Sequence, residues 1–486
     1  MSQSPPGLRR ELRTWQSLAL SIAMMSPTLA IAVYGGAPAL YVGRAAPLAF
    51  ILSGVGVVLV GAGLVYLCRY FSHAGSVYGL TGVTLGPRAG FFSGWALLGT
   101  YLIYTPASAA ASAYFLTLFC KDTGIWPGAN WLLFALIFIV VIFLLSVRDI
   151  ARIGRVLLSV EGLSIIVMLI VLAVVIVRLA GGAHGNHLTL TVFSLPGGVS
   201  FHSLVLASVF GFTAFAGFEG AASLGEETRN PRRSIPRALS IAIAAGVIFY
   251  VFCVAVMAMG FGVTSKDGTA FASSSGPLFD LSRTYFTTAM AQVLELGATV
   301  SAFSAALGST LGGGRLIFAL ARDTRPGSRL AGVGRNGAPA SALTVVLAFA
   351  AAMAIIMYAA GNAALTTAFY LGTIGTLSLL VAYAMVDLGA VRLMARHAGN
   401  KAVMIVPLLG FAVLAYTMYN ELYPRPPKPY DYFPYIVAAW LVIGLVAVVA
   451  VPGAATRIGR GLAEAEGMAG AADEDAPVSD VREARA

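Results

Sequence analysis

Apolar residues in this chain form long runs that are separated by short polar segments. A helix needs about 20 mostly apolar residues to cross a bilayer, so a window of that length locates candidate spans. It predicts twelve, at 15–40, 46–68, 88–118, 130–147, 156–179, 199–222, 236–263, 288–320, 340–360, 364–388, 402–421 and 433–453. Because helices satisfy their backbone hydrogen bonds internally, this pattern predicts an all-α polytopic membrane protein.

Two of the predicted spans are interrupted near their middle. The first contains Ser26-Pro27-Thr28, and the sixth contains Gly211, Gly217 and the ionisable Glu219. Proline removes a backbone donor, and glycine weakens a helix by about 1 kcal/mol relative to alanine. A carboxyl group in hydrocarbon is costly unless it is protonated or paired, and irregular backbone at that depth is tolerated around a buried cavity. The pattern indicates a binding site, although a simple proline kink also explains the first span taken alone.

The two interrupted spans occupy the same place in two blocks of five spans, 15–180 and 199–388. Because five is odd, the blocks have opposite orientations, and paired broken helices in inverted repeats are typical of a transport site at the membrane midplane. The other divisions are an N-terminal segment at 1–14, two further helices at 402–453 and a tail at 454–486. The tail is small, polar and acidic, which predicts a disordered cytoplasmic segment.

Composition and charge agree with this class. The chain is 58% hydrophobic and 11% charged, whereas soluble domains carry roughly 25% charged residues. When the twelve predicted spans cross the membrane in alternating directions, 24 of the 31 Lys and Arg residues lie on the same side as the N-terminus. By the positive-inside rule, both termini are cytoplasmic and the protein is a multi-pass protein of the cytoplasmic (inner or plasma) membrane. The net charge of +10 is therefore a topology signal, and nucleic acid is not an expected partner.

The ends of broken helices have a polarity that suits a zwitterion. The half-helix that follows the first break presents free N–H groups at a positive dipole end, and the preceding turns present carbonyl groups. A substrate carboxylate would meet the N–H groups from Thr28 to Ala30, and Phe212 and Phe215 would cover its side chain, unless these aromatic residues merely pack. The candidate substrate-binding residues are Ala23, Met24, Ser26, Pro27, Thr28, Leu29, Phe210, Phe212, Thr213, Phe215, Gly217 and Tyr104.

Buried polar residues offer candidates for ion coupling. Glu219 either titrates as substrate charge arrives or supports the helix break through hydrogen bonds. Ser301 and Ser304 would add hydroxyl oxygens to a Na⁺ site near the first break, although membrane serines often bond to their own backbone. Glu161 is interpreted as an interfacial residue paired with Arg155 near the end of span five.

The loop after the sixth span mixes acids and arginines at the predicted cytoplasmic mouth. This mixture predicts a latch that is intact when the mouth is closed and broken when it opens. A solvated loop whose arginines set the topology is the alternative. The latch residues are Glu226, Glu227, Arg229, Arg322 and Asp323.

Three segments carry a family pattern. In chain order they are Phe71–Tyr78 with Gly90–Trp95, Phe215–Glu219 with Glu226–Pro231, and Arg315 with Ala321-Arg322-Asp323. Together they resemble the amino acid/polyamine/organocation (APC) superfamily of permeases. The resemblance implies a 5+5 inverted-repeat (LeuT-like) core with broken helices 1 and 6, plus two extra helices. It also implies alternating access for amino acids or related amines.

The chain departs from that family pattern at the first break and in span five. Ser26-Pro27-Thr28 replaces the glycine-rich break of many members. Proton-coupled relatives place a lysine in span five, whereas this chain has Ser164 at that register. A lysine-based proton switch is therefore not expected here.

These observations predict a secondary active transporter for amino acids, coupled to H⁺ or Na⁺, with no catalytic residues and no other cofactor. One acid and no basic partner inside the site favour neutral amino acids, while an amine, polyamine or cationic amino acid permease or exchanger stays open. A membrane enzyme would need His, Asp or Cys clusters, and Cys68, Cys120 and Cys253 lack metal-ligand spacing. A non-transporting nutrient receptor would share the broken helices. The sequence does not determine the oligomeric state.

Overall fold

The chain folds into helices that span a membrane in a bundle. The structure is a computed structural model, and it describes residues 12–71, 76–147, 150–225, 227–325, 327–334, 338–397, 401–423, 428–450 and 453–465. Among these residues there is no β-strand, and one isolated bridge pairs Leu12 with Thr228. The predicted all-α polytopic fold is confirmed.

Eighteen α-helices are present in the described ranges. In chain order, α1 to α18 are Thr14–Met25, Pro27–Tyr34, Ala39–Val42, Ala46–Leu67, Val77–Leu85, Pro87–Asp122, Trp131–Ser146, Ile150–Ala180, Phe201–Phe215, Pro231–Phe261, Ser265–Ser273, Pro277–Tyr285, Thr288–Thr324, Ala340–Ala359, Ala364–His397, Ile405–Asn420, Phe433–Ala450 and Ala454–Ala465.

Eleven helical segments of the described chain are long and apolar enough to cross a membrane. The fourth predicted span is the shorter apolar helix α7, which has 16 residues. The first and sixth predicted spans are each built from two helical pieces, so the prediction of broken helices 1 and 6 is confirmed. The sixth span consists of α9 followed by a 3₁₀ helix at Phe218–Leu224.

The long helix α6 packs against both α13 and α15. Glycines make the close approach possible, because Tyr101 of α6 lies against Gly312 and Gly313 of α13. Likewise, a Cβ at Gly375 of α15 would lie 2.5 Å from the ring of Tyr104. Both tyrosines of α6 thereby reach the interior near the helix breaks.

The two ends of the bundle are named here by the residues that mark them. The basic face is the end that holds Leu12, Thr228 and Thr324, and it is the face predicted to be cytoplasmic. The opposite face is the end that holds Asp122 and Arg283.

The start of the predicted disordered tail is in fact a docked helix. The amphipathic helix α18 lies on the basic face, where Arg457 Nε donates to the carbonyl of Thr324 over 3.1 Å. Ile458 and Leu462, spaced one turn apart, are buried against α5, α6 and α13. The spacing of these two apolar residues is typical of an amphipathic helix, but the prediction of disorder was based on the acidic, small-residue composition of the whole tail. Residues 466–486 of the predicted tail lie outside the described residues.

Candidate functional site

The first break occurs at Ser26. This residue adopts a left-handed conformation with φ of 43°, and Pro27 starts α2 at a position where a missing N–H costs no helical bond. The Ser26 hydroxyl lies 2.5 Å from the carbonyl of Ala23 and 2.9 Å from that of Ser301. The bend is therefore held both by its own helix and by α13.

The second break occurs at Gly217, which has φ of 103°. A Cβ there would lie 2.6 Å from the carbonyl carbon of Met24, so the two breaks are packed directly on each other. Ser21 links them further, because its hydroxyl donates to the carbonyl of Phe218 and accepts from the N–H of Ala221, over 2.7 and 2.9 Å.

The sixth span is helical for longer than the sequence predicts. The helix α9 continues through Phe215, so the carbonyl of Phe210 lies inside the helix and not at its end. Gly211 makes a close contact with Ser53 of α4 that leaves no room for a side chain. This contact between helices accounts for the glycine at position 211, which the sequence analysis assigned to the break.

A cavity of about 60 Å³ lies beside the two breaks. Four predicted substrate residues line it, namely Met24, Leu29, Tyr104 and Thr213. The other lining residues are Met25, Ala30, Val33, Tyr34, Ala107, Ser108, Ala111, Ala216, Ala305, Ser309, Ala368 and Gly372. All of these described side chains are uncharged.

Phe212 and Phe215 line a different, smaller cavity of about 10 Å³, together with Tyr383. They are buried between α4, α9 and α15, and Phe215 makes an edge contact with Tyr250. They do not cover the larger cavity in this conformation. Ala216 lines both cavities.

The N–H groups predicted to bind a substrate carboxylate already have partners within the protein. Thr28 N donates to Glu161 Oε1 over 3.2 Å, and Leu29 N donates to Ser301 Oγ over 3.0 Å. Ala30 N donates to the carbonyl of Ser26 over 2.9 Å. The positive end of α2 is therefore capped by a carboxyl group and a hydroxyl group of the protein in this conformation.

Glu161 belongs to this site and is not the interfacial residue that the sequence indicated. It lies eleven residues after the start of α8, about 16 Å along the helix axis. Its side chain is fully buried, and Ser301 Oγ also approaches Oε1, at 3.0 Å. The predicted span began at residue 156, whereas α8 begins at Ile150, so the sequence analysis placed Glu161 too close to the end of the helix. An acid this far into a span is itself a functional signal.

Further buried oxygens surround the first break. Glu161 Oε2, Thr28 Oγ1 and Ser304 Oγ are buried without a hydrogen-bond partner in the described part of the chain. Ser164, one turn after Glu161, donates to the carbonyl of Gly297 over 3.3 Å. The oxygen atoms of Glu161, Thr28, Ser301 and Ser304 form a small polar site between α2, α8 and α13, here called the oxygen niche.

Glu219 holds the second break in place. Its carboxyl accepts from Tyr383 Oη over 2.5 Å, from Tyr101 Oη over 3.2 Å and from Gly217 N over 3.0 Å. These three donors come from α15, α6 and the break itself. Glu219 is buried behind them and does not line the 60 Å³ cavity.

The basic face is closed beneath the breaks by a buried ion pair. Glu227 Oε1 and Arg315 Nε are 2.8 Å apart, and both residues are buried. Leu12 adds backbone bonds to Glu227 and Arg229, of 3.0 and 2.9 Å. The sequence proposed a latch in this loop but did not identify Arg315 as the partner of Glu227.

The other latch candidates are placed nearby. Asp323 accepts from Tyr78 Oη over 2.8 Å and from the neighbouring Arg322 over 3.0 Å. Arg229 is exposed. Glu226 lies outside the described residues.

The helix α12 packs across the opposite face. Phe279 of α12 makes an edge contact with Phe115 of α6, one turn above the cavity-lining Ala111. Pro277 packs at Gly36, just beyond α2. The helix α12 therefore lies across the opposite-face ends of α2 and α6, two helices that line the cavity.

The fold and the cavity define a multi-pass membrane transporter with a small-molecule site, and comparison with known proteins supports that class. The sequence profile of amino acid permeases matches residues 17–464, so the chain belongs to the amino acid permease family. Members of this family are transporters and not enzymes.

Several curated relatives are transporters, and those whose names give a cargo differ in that cargo. The chain is 27% identical over 429 residues to an uncharacterized transporter of Mycobacterium tuberculosis, covering 85% of this chain and 87% of the relative. It is 25% identical to the branched-chain amino acid permease BcaP of Bacillus subtilis, covering 65% and 68%. It is 22% identical to the low-affinity putrescine importer PlaP of Escherichia coli, again covering 65% and 68%.

Proposed function

We propose that this protein is a secondary active transporter that moves small neutral amino acids across the cytoplasmic membrane by alternating access. The observation that carries the substrate class is the uncharged lining of the cavity between the described helices. A ligand with a net charge would be buried there without a counter-charge, which is costly in a low-dielectric site. A zwitterion has no net charge, and lining hydroxyls offer it hydrogen bonds.

The hydroxyl groups in the cavity come from both halves of the fold. Tyr34, Tyr104 and Ser108 belong to the first half, and Thr213 and Ser309 to the second. Tyr104 Oη and Thr376 Oγ1 are 2.8 Å apart, which ties the cavity wall to α15. Hydroxyl groups of the two halves therefore line the same cavity.

The size of the cavity supports a short substrate side chain. Seven of its sixteen lining residues are alanine or glycine, and the volume is about 60 Å³ in this conformation. A polyamine would need an acid in the wall, whereas Glu219 is enclosed by its tyrosine partners. These features favour a neutral amino acid over the amine alternative.

We also propose that the coupling cation, H⁺ or Na⁺, binds at the oxygen niche formed by Glu161, Thr28, Ser301 and Ser304. Glu161 joins α8 to the start of α2, and Ser301 joins α13 to the same point. A cation on the carboxyl would weaken its cap on α2, which borders the substrate cavity. Ion binding and cavity shape would then be coupled through this half-helix.

Uptake into proteoliposomes tests this proposal. Purified protein is given radiolabelled neutral, cationic and acidic amino acids and putrescine, with an imposed H⁺ or Na⁺ gradient. We expect accumulation of small neutral amino acids under one of these gradients. Accumulation of putrescine or a cationic amino acid alone would contradict the substrate class, and binding without accumulation or exchange would support a receptor instead.

Two variants make the test specific to the cavity. Ala111→Phe fills the cavity and is expected to abolish uptake, whereas Ala352→Phe adds the same ring on an exposed position of α14 and is expected to preserve it. Uptake by both variants would mean that substrate does not pass through this cavity. Labelling of single cysteines placed on either face checks the proposed cytoplasmic location of the basic face.

A further inference from the structure

A cluster of ionisable groups fastens α12 at the opposite face, outside the substrate cavity. Arg283 of α12 uses one guanidinium nitrogen, Nη2, to contact both Asp122 at the end of α6 and Glu295 in α13. The distance from Nη2 to Glu295 Oε1 is 2.7 Å. The other terminal nitrogen, Nη1, lies 3.2 Å from Asp280 Oδ1. One residue thus joins α12 to two helices that line the cavity.

The charges in this cluster do not balance. Three carboxyl groups surround a single guanidinium, and two of them converge on the same nitrogen atom. Asp122 and Asp280 are partly exposed, with side-chain exposures of 28% and 47%, so water screens them. Glu295 has a side-chain exposure of 0%, and its Oε2 has no partner in the described chain.

The other groups around Glu295 do not supply the missing positive charge. From α6, the Tyr114 hydroxyl faces the cluster beside Asp122, and the neighbouring Lys121 is exposed, so water screens its charge. From α12 the facing groups are Asp280 and Arg283. His184, which makes an edge contact with Tyr285 of α12, is exposed as well. The helix α8 also packs on α12, and its residue at this end, Arg178, is exposed without an ion pair among the described residues. Two ionised carboxylates at one nitrogen, one of them buried, repel each other.

We propose that the Asp122–Glu295 pair binds one proton when α12 covers the cavity. The proton comes from water at the opposite face and lies between the two carboxyl groups, which leaves the pair with one negative charge instead of two beside Arg283. When α12 moves away, Arg283 leaves with it, water reaches Glu295, and the proton returns to solution. Closure at this face is therefore linked to proton uptake, and acidic solution there favours the closed state.

This proton site is separate from the proposed coupling site at Glu161 and goes beyond the proposed function. It concerns the closure of one face, and it holds for any substrate. An assay without substrate can therefore test it, so that its failure and the failure of the transport proposal are distinguishable.

Cysteine accessibility measures the closure directly. The cavity variant Ala111→Cys is placed in a background in which Cys68, Cys120 and Cys253 are replaced by alanine. A membrane-impermeant maleimide is applied at the opposite face over a range of pH. The labelling rate is divided by that of Ser265→Cys, an exposed position on α11, which removes the pH dependence of the thiol itself.

The normalised rate is expected to rise with pH by up to about tenfold per unit, which is the limit for one linked proton. Glu295→Gln keeps an oxygen for Arg283 but cannot exchange the proton, so its rate is expected to be low and independent of pH. Asp122→Asn is expected to lose the dependence as well. Lys121→Gln removes an exposed charge beside Asp122 and is expected to keep the parent slope.

Two results would overturn the proposal. One is a parent protein whose normalised rate does not change with pH. The other is a Glu295→Gln variant, or an Asp122→Asn variant should the first fail to fold, that keeps the parent slope.

Discussion

Gly217→Ala is the sharpest test of how the two breaks are joined. The residue has φ of 103°, a conformation that costs an L-residue about 1–2 kcal/mol. The new Cβ would also lie 2.6 Å from the Met24 carbonyl carbon and 2.9 Å from its carbonyl oxygen. Because these are backbone atoms, they cannot rotate away, and overpacking of this kind costs about 1–3 kcal/mol more.

The expected loss for Gly217→Ala is therefore about 2–5 kcal/mol, a large part of the stability of an ordinary domain. Two control variants separate the causes. Gly124→Ala carries the strain alone, because its φ is 72° and the space around it is open, whereas Gly197→Ala carries neither strain nor contact. The order of destabilisation is expected to be Gly217, then Gly124, then Gly197.

Thermal unfolding in detergent, followed by the loss of the monodisperse peak in size-exclusion chromatography, measures this order. Uptake in proteoliposomes measures function in parallel, and only Gly217→Ala is expected to lose it. A Gly217→Ala protein as stable and active as Gly197→Ala would refute the direct packing of the second break on Met24.

Three further variants test other parts of the structure. Glu161→Gln is expected to abolish gradient-driven accumulation while substrate exchange persists, and equal loss of both in the uptake assay would contradict a coupling role. Glu227→Gln and Arg315→Gln each leave a buried charge unpaired, at about 3–5 kcal/mol, so the double variant is expected to melt above either single variant. Leu462→Asp is expected to detach α18 and expose its amides to hydrogen exchange, whereas Arg460→Asp, at an exposed position, is expected to leave α18 protected.

The candidate site shows where sequence reasoning reached its limit. Pro27 and Gly217 correctly predicted the breaks because proline and glycine affect the backbone within one helical turn. The N–H groups of α2 were predicted to be free for substrate, but Glu161 and Ser301 occupy them. That arrangement depends on the register of α8 and α13 against α2, which no local pattern encodes.

Partner choice between charged residues was equally beyond the sequence. Glu227 was predicted to latch the basic face, but its partner Arg315 lies 88 residues further along the chain. The sequence left open whether Glu219 titrates or supports the helix break. Tyr101 and Tyr383 donate hydrogen bonds to its carboxyl group, which favours the supporting role. Each of these contacts joins different helices, so it is decided by how those helices pack.

The sequence by itself determined the class of this protein, its helical spans and the positions of its two breaks. Hydropathy over about 20 residues and the backbone chemistry of proline and glycine are local properties, and they act before any tertiary contact forms. Only the tertiary structure decided which groups line the cavity, which acids have partners, and that α18 docks against α13. These outcomes depend on the relative register of helices far apart in the chain, where a rotation of one residue turns a side chain by about 100°.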